Sequence, residues 1–233
     1  MILAESALET IPRRLWQHPQ IKKYAEKRAK PPRFLILDRS YHHAAMKQPA
    51  NNEKRGRPDI IHFSLLEALG SPLNKERQLQ VYFHTIQDNV IFVNPETRLP
   101  RNYNRFLGLM EQLFEHKQIP LEGSPLLTLT ENLSLQQLIE KIKPDYTIAF
   151  SRKGAPKTLE KAISELAEKK TPIAIVGGFP HGTFSKTTLK LADQVVAIDR
   201  EMLETWTVTA RIIYEYEKSI GLPAKRLALE QAS

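Results

Sequence analysis

Residues 173–182 read Ile-Ala-Ile-Val-Gly-Gly-Phe-Pro-His-Gly, a short apolar run followed by a loop. The apolar residues are typical of a buried strand. Three of the nine glycines of the chain, Gly177, Gly178 and Gly182, follow within six positions. Because glycine has no Cβ, such a loop lets the backbone approach a ligand at the end of a strand. We therefore expect a binding loop here, in which Gly178→Val would block the ligand by crowding.

The spacing of these glycines does not identify the ligand. The dinucleotide-binding fingerprint needs glycine at its first, third and sixth positions, whereas the third position here is Phe179. The chain also has no Gly-x-x-x-x-Gly-Lys-Ser/Thr phosphate loop. Nicotinamide cofactors and nucleoside triphosphates are therefore disfavoured. A tight turn without any ligand also explains the spacing.

Strands and helices alternate on both sides of this loop. Before it, residues 146–150 have the composition of a strand, and a helix with regular apolar spacing begins at Pro156. After it, residues 195–198 predict another strand and residues 203–214 predict a helix. Such alternation is typical of a parallel sheet covered by helices.

The N-terminal part contains further local signals. The apolar run 34–37 predicts a buried strand. Residues 81–86 and 90–93 flank Asp88-Asn89, which predicts a β-hairpin. Residues 60–69 suit either a short helix or a strand followed by a helix, before the turn at Gly70-Ser71-Pro72. Apolar spacing predicts a helix from about Asn102 onward. A capping-box pattern at Ser134–Gln137 predicts the start of another helix, which ends before Pro144.

The composition is that of a globular chain of one domain. The 233 residues are 41% hydrophobic and 26% charged, which excludes a disordered tail, a collagen or an integral membrane protein. The chain has neither an apolar stretch of about 18 residues nor a signal peptide, so we expect an intracellular protein with no membrane partner. The absence of cysteine excludes disulfides, thiolate metal sites and a cysteine nucleophile.

The charge is unevenly distributed. The formal net charge of +8 favours a polyanionic partner such as a nucleic acid, although many proteins of this charge bind none. Basic residues are concentrated between residues 11 and 33, where Glu26 is the only acid. A second group contains Arg98, Arg101 and Arg105, whose guanidinium groups can hold phosphates or stack on bases. A solvated helix face is the alternative interpretation of these arginines.

The remaining polar residues do not identify a catalytic group. Arg57-Pro58-Asp59 places a cation and a carboxylate on either side of a rigid proline, where they can form an ion pair or an ordinary exposed turn. The histidines lack metal-ligand spacing, so we predict no metal site. No serine lies in a Gly-x-Ser-x-Gly context, so we expect no hydrolytic triad.

Three motifs together resemble one family. They are Arg57-Pro58-Asp59-Ile60-Ile61-His62, the stretch from Pro95 to Phe106 and the glycine loop 177–182. They are similar to those of the ribosome-biogenesis pseudouridine N1-methyltransferases of the SPOUT superfamily. The resemblance extends over nearly the whole chain, from Leu3–Glu9 to Trp206–Val208, in a short form like that of the archaeal members.

The resemblance implies a fold and an assembly. It implies an α/β knot with a mostly parallel sheet flanked by helices, a C-terminal trefoil knot and an inserted β/α extension around residues 38–70. Residues 1–233 would form a single methyltransferase domain. It also implies a homodimer in the cytoplasm.

The resemblance further implies S-adenosylmethionine as methyl donor and N1 of a specific pseudouridine in small-subunit ribosomal RNA as acceptor, with a role in small-subunit biogenesis. Residues matching the donor site are Phe150, Gly177, Gly182, Ala197, Ile198, Asp199, Arg200, Glu201 and Met202. Residues matching the RNA site are Arg57, Arg98, Arg101 and Arg105, with Asp59 orienting Arg57. The catalytic base is not identified.

Two alternatives stay open. One is an assembly factor that binds ribosomal RNA and whose methylation is incidental. The other is a related knotted methyltransferase that acts on another base or on transfer RNA. The basic segment from Arg13 to Arg33 matches no motif of the family, so only its charge suggests contact with RNA.

Overall fold

The computed structural model describes residues 1–47 and 52–230. Its single sheet has eight strands in the order β4-β5-β3-β2-β1-β7-β6-β8. The strands are β1 (Ile2–Ser6), β2 (Val81–Thr85), β3 (Val90–Val93), β4 (Gln118–Ile119), β5 (Leu127–Thr130), β6 (Tyr146–Pro156), β7 (Pro172–Gly177) and β8 (Gln194–Ala197).

Helices cover both faces of this sheet. They are α1 (Pro19–Arg28), α2 (Arg39–His42), α3 (Pro58–Gly70), α4 (Pro72–Lys75), α5 (Tyr103–His116), α6 (Leu135–Ile142), α7 (Leu159–Ala167), α8 (Lys186–Lys190), α9 (Thr205–Ser219) and α10 (Leu222–Glu230). Short 3-10 turns occur at 13–15, 32–34, 45–47 and 52–54. None of these described helices is long and apolar enough to cross a bilayer.

Parallel pairing dominates the sheet. β1 pairs in parallel with β2 and β7, and β6 pairs in parallel with β7 and β8. The remaining pairs, β2 with β3, β3 with β5 and β4 with β5, are antiparallel and form one side of the sheet. The predicted α/β class with a mostly parallel sheet is confirmed.

The central strands are apolar because both faces of the sheet are covered. Successive side chains of β1 point to opposite faces: Leu3 joins a core built with α3, α5, α7 and α9, whereas Ile2 and Ala4 join a second core with α6. β7 alternates in the same way, with Val176 in the first core and Ile175 in the second. The carboxyl ends of these strands are thereby held rigidly.

Most predicted elements are present. The hairpin 81–93 is confirmed, as are α3, α7, α9 and the strands at 146, 172 and 194. Ser134 and Gln137 form the predicted capping box at the start of α6. One boundary differs, because β6 continues to Pro156 and the following helix therefore begins at Leu159.

The strand predicted at residues 34–37 is wrong. Pro32–Phe34 is a 3-10 turn, and the extended chain after it makes only an isolated bridge between Ile36 and Thr10. Its apolar side chains are buried in a separate cluster of the N-terminal segment, made of Ile11, Leu15, Ile21, Leu35, Leu37, Ala45 and Met46. Burial in this cluster explains the apolar run without any place in the sheet.

The described residues of the stretch 38–70 are helical, with α2, two 3-10 turns and α3. Residues 48–51 of this stretch lie outside the described part. α3 belongs to the main core, where Ile60, Ile61 and Leu65 are buried. The bounds of an inserted extension and the single domain 1–233 stay predictions.

Candidate active site

A cleft lies at the carboxyl ends of β7 and β8 and beside residues 150–152 of β6, where the pairing of β6 with β7 ends. It lies between the glycine loop after β7 and the segment that joins β8 to α9. This is the end of an α/β sheet at which ligands generally bind.

Seven of the nine residues predicted for the donor line this cleft. They are Phe150, Gly177, Gly182, Ile198, Asp199, Glu201 and Met202. Ala197 does not line it; its carbonyl oxygen accepts a hydrogen bond from the backbone N–H of Lys157. Arg200 is exposed and also lies outside the lining.

The three glycines of the loop have different tasks. Gly182 has a φ of +95°, a conformation that other residues adopt only with strain. The carbonyl oxygen of Gly177 accepts a hydrogen bond of 2.8 Å from the hydroxyl of Thr205, which ties the loop to the start of α9. Both glycines face the cleft.

Gly178 does not line the cleft, so the expected crowding of a ligand by Gly178→Val is wrong. A Cβ at this position would lie 2.3 Å from Ser6 Oγ and 2.9 Å from Ser6 Cα. The backbone N–H of Gly178 donates to Ala4, and its carbonyl accepts from Ala7. This glycine allows β1 and the loop to approach each other, and its substitution damages the fold.

Several lining residues were missed by the sequence analysis. They include Ser151, Arg152, Phe179, Phe184, Leu203, Glu204, Thr205 and Val208. Most lie on the segments already implicated, one or a few positions beyond the residues that the motif match selects. Thr205 had a usable signal, because a threonine in the first turn of a predicted helix is placed to bond nearby backbone.

The lining of the cleft combines apolar walls with negative charge. Phe150, Ile198 and Leu203 supply apolar surface, and Asp199, Glu201 and Glu204 supply carboxylates against the single guanidinium of Arg152. Such a lining suits a ligand with a flat apolar part and a positive charge. An adenine ring and a sulfonium meet both conditions, so the residues present fit S-adenosylmethionine.

The predicted ion pair between Arg57 and Asp59 is present. Nε of Arg57 lies 2.8 Å from Oδ1 of Asp59, and Nη2 lies 2.7 Å from Oδ2. This two-point contact raises the pKa of the Arg57 guanidinium, and the negative charges of Glu204 and Asp38 raise it further. Because Glu204 lines the cleft, Arg57 lies within electrostatic reach of it.

The other three arginines lie on and before α5. Asn102 caps this helix by accepting a hydrogen bond from the N–H of Arg105, so Arg101 precedes the helix and Arg105 lies in its first turn. Arg98, Arg101 and Arg105 are all exposed. Among the described residues, no carboxylate forms an ion pair with them, so their guanidinium groups face solvent.

Buried side chains hold this arginine-bearing segment in place. Nε2 of His62 lies 2.8 Å from the carbonyl oxygen of Pro100, and the imidazole stacks on Phe106 with ring centroids 4.4 Å apart. The hydroxyl of Tyr103 donates to the buried carboxylate of Asp38. Burial, with this hydrogen bond, raises the pKa of Tyr103. The motif that contains His62 and the motif from Pro95 to Phe106 are therefore in contact.

Two ion pairs connect the Arg57 segment to the sheet and the glycine loop. Lys54 Nζ lies 2.6 Å from Oε2 of Glu5 and 4.5 Å from the centre of the Phe179 ring. The other oxygen of Glu5 accepts from the backbone N–H of Ser185, which follows the loop. Arg55 pairs with Glu9, whose pKa is raised by burial to about 7.

Within residues 1–47 and 52–230, no three His, Cys, Asp or Glu side chains are grouped so that they could hold a metal ion.

A cleft at the carboxyl ends of parallel strands, with Arg57 within electrostatic reach of its residue Glu204, is a typical ligand site of an α/β enzyme fold. Residues 1–217 match the EMG1/NEP1 methyltransferase family. The chain belongs to this family.

Curated relatives share most of the chain. The ribosomal RNA small subunit methyltransferase Nep1 of Pyrococcus furiosus is 48% identical over 220 residues, which cover 93% of this chain and 95% of that protein. The protein of the same name from Thermococcus kodakarensis is 45% identical over 222 residues, which cover 95% and 99%.

A solved structure shares the fold. Archaeoglobus fulgidus Nep1 bound to S-adenosylhomocysteine superposes with a TM-score of 0.83 at 38% identity, covering 94% of this chain and 97% of that one.

Proposed function

We propose that this protein transfers a methyl group from S-adenosylmethionine to N1 of a specific pseudouridine in small-subunit ribosomal RNA, and that it acts in small-subunit biogenesis in the cytoplasm. One observation carries the proposal. Glu204 lines the acidic cleft that fits the donor, and its negative charge acts on the guanidinium group of Arg57. The relatives named for small-subunit rRNA methylation support the substrate class.

The donor supplies an already activated methyl group on its sulfonium. The task of the protein is therefore to align methyl, acceptor nitrogen and sulfur in a site that excludes water, which can contribute about 7–11 kcal/mol. The apolar side chains of Phe150, Ile198 and Leu203 would exclude water. The Thr205 hydroxyl fixes the loop at Gly177, against which the donor would lie.

The acceptor must be brought out of its stack to be reached. We propose that the target pseudouridine lies in a loop of the RNA and is flipped toward the cleft while Arg98, Arg101 and Arg105 hold flanking phosphates. Asp59 holds Arg57 in one orientation, so this guanidinium meets the RNA without prior reorganisation. N1 of pseudouridine carries a proton that must leave during transfer.

We also propose a homodimer formed through α3 and α9. These helices present Phe63 and Tyr214, which are 44% and 62% exposed, and the Phe63 ring packs edge-on against Trp206 at 5.4 Å. Exposed aromatic side chains grouped on one face suit a protein interface. Tyr214→Glu should shift the protein to monomers in sedimentation experiments, whereas a wild type that sediments as a monomer would contradict the proposal.

A trefoil knot in the C-terminal third is part of the same proposal. The supporting observations are that β8 pairs with two separate parts of β6, and that Thr205 bonds back to the loop after β7. An experimental structure traced from β6 to α9 tests the crossing of the chain.

The decisive experiment offers labelled S-adenosylmethionine with matched RNA oligonucleotides that contain pseudouridine or uridine, followed by mapping of the methyl group. We expect transfer to N1 of pseudouridine only. Methyl on another base or position would support the related-methyltransferase alternative. Binding of RNA without any transfer would support the assembly-factor alternative.

A further inference from the structure

The basic N-terminal segment packs along one stripe of α5. Successive positions of this stripe are Asn104, Gly108, Glu111 and Glu115, which share a face because they are separated by three or four residues. Arg28 Nη2 lies 2.8 Å from Glu111 Oε2, and Lys30 Nζ lies 3.0 Å from Glu115 Oε2. Two of the basic residues of this segment therefore anchor it to α5.

Two tyrosines form a stacked pair beside this stripe. The rings of Tyr24 in α1 and Tyr41 in α2 have centroids 5.4 Å apart and an angle of 29° between their planes. The Tyr41 hydroxyl donates to Oδ1 of Asn104 at 3.3 Å, and Arg28 donates to the Tyr24 hydroxyl at 3.1 Å. Tyr41 is 39% exposed, so part of its ring is open to solvent.

Two lysines of α1 lie next to these rings. Lys23 and Lys27 are exposed and have no ion-pair partner within the described part of the chain. At 100° per residue they share one side of α1, the side on which Tyr24 also lies, whereas Lys22 lies on the other side of the buried Ile21. We name the surface made by Lys23, Tyr24, Lys27 and Tyr41 the tyrosine ledge.

The tyrosine ledge continues the surface that carries Arg57, Arg98, Arg101 and Arg105, which we name the arginine face. Arg101 precedes α5, and Asn104, which contacts Tyr41, is the second residue of this helix. From Asn104 to Glu111, which contacts Arg28, the helix rises about 10 Å. A polynucleotide strand that contacts Arg101 and Arg105 can therefore extend directly over Tyr41 toward Lys23 and Lys27.

We propose that the tyrosine ledge binds single-stranded RNA that flanks the methylated nucleotide, with a base stacked on Tyr41 and phosphates held by Lys23 and Lys27. An exposed aromatic ring beside unpaired cations is the arrangement that recognises unstacked nucleotides. The proposal rests on the proposed function, in which Arg101 contacts the same RNA. It gives the basic segment the task of lengthening the RNA footprint.

The test compares two pseudouridine oligonucleotides by fluorescence anisotropy. The short one is restricted to the target and its immediate neighbours, and the long one extends in both directions. Tyr41→Ala should weaken binding of the long RNA about tenfold, as expected for loss of one base–aromatic stack, and leave the short RNA unchanged. Lys23→Ala with Lys27→Ala should reduce the salt slope for the long RNA by about 1.4.

Matched controls separate stacking and charge from folding. Tyr41→Phe keeps the ring and loses the bond to Asn104, so it should bind the long RNA like wild type. Lys169→Ala with Lys170→Ala removes the same charge near the opposite end of β7 and should leave the salt slope unchanged. Thermal melting should show that each variant is folded, and the lysine pair tests the ledge even if Tyr41→Ala is unstable.

Equal affinities of wild type and both ledge variants for the long RNA would overturn the inference. So would an equal loss for the short and long RNA, because the ledge would then act through the arginine face. Arg101→Ala distinguishes the two proposals: it should weaken both RNAs. If it weakens neither, the proposed RNA site itself is wrong, whatever the ledge variants do.

Discussion

The donor cleft and the arginine face are formed by different kinds of groups. The cleft depends on backbone, on the glycine loop and on apolar side chains that also pack the ends of β6 and β7. The arginine face consists of long side chains on a surface, held from below by Asp59, His62 and Asp38. Substitutions in the cleft are therefore expected to affect folding and ligand together, whereas those on the arginine face should be separable from folding.

The largest expected effect belongs to Gly178→Val. The added side chain would overlap the backbone of Ser6, which cannot move without breaking the pairing of β1 and β7. We expect a protein that is insoluble or melts far below wild type, as measured by thermal denaturation.

Gly182→Ala is the matched control in the same loop. Its φ of +95° costs about 1–2 kcal/mol for alanine, but the nearest atom, Lys54 Cε, is 3.3 Å away and flexible. This variant should fold and show weaker binding of S-adenosylhomocysteine by calorimetry. If the Gly178→Val variant folds well and binds the donor normally, Gly178 is not required for the fold.

Arg101→Ala tests the other region. Loss of one charge-assisted phosphate contact should weaken RNA binding about 10- to 100-fold and lower the salt slope by about 0.7. Donor affinity should not change, because Arg101 is exposed and does not line the cleft. An equal loss of donor and RNA affinity would show that the two regions are not separable.

Glu9→Gln tests the buried carboxyl group that forms an ion pair with Arg55. Burial raises the pKa of Glu9 to about 7, so the folded protein binds this proton more tightly than the unfolded chain. The stabilisation is full below the ordinary carboxyl pKa and is lost as the pH rises toward 7. Between pH 5 and pH 8 the free energy of unfolding of wild type should fall by about 2 kcal/mol relative to the variant.

Urea unfolding of both proteins at the two pH values measures this difference. A constant difference between wild type and Glu9→Gln would show that the Glu9 carboxyl has an ordinary pKa.

Thr205→Val should have the smallest effect. It keeps the shape of the side chain and removes the hydrogen bond to Gly177, which contributes about 1 kcal/mol. We expect about a fivefold loss of donor affinity and unchanged RNA affinity. A change in RNA affinity without a change in donor affinity would show that Thr205 acts on the arginine face and not on the cleft.

The contrast also explains what the sequence could predict. Elements with a strong local signal were found, such as the hairpin 81–93, the capping box at Ser134 and the helix after Asn102. β1 was missed because Ile2–Ser6 gains its strand character from pairing with β2 and β7, far away in sequence. Residues 34–37 were misassigned because burial in a small cluster leaves the same apolar pattern as a strand.

The residues of the candidate site also differ in whether the sequence could predict them. Arg57, Arg98, Arg101 and Arg105 could be selected from residue type and motif, since guanidinium chemistry is visible in the sequence. Glu204, Arg152 and Phe184 could not, because they reach the cleft only through the fold. The task of Gly178 was misjudged for the same reason: its close neighbour is Ser6, which no local pattern reveals.

The central position of β1 has a consequence for how the protein is made. Ile2 and its partner Ile175 are separated by about 9–35 s of synthesis at about 5–20 residues per second. Until then one edge of this fully buried strand has no partner and can attract other chains. Completion of the sheet is thus a late event in biosynthesis, and products that stop before β7 should be prone to aggregate.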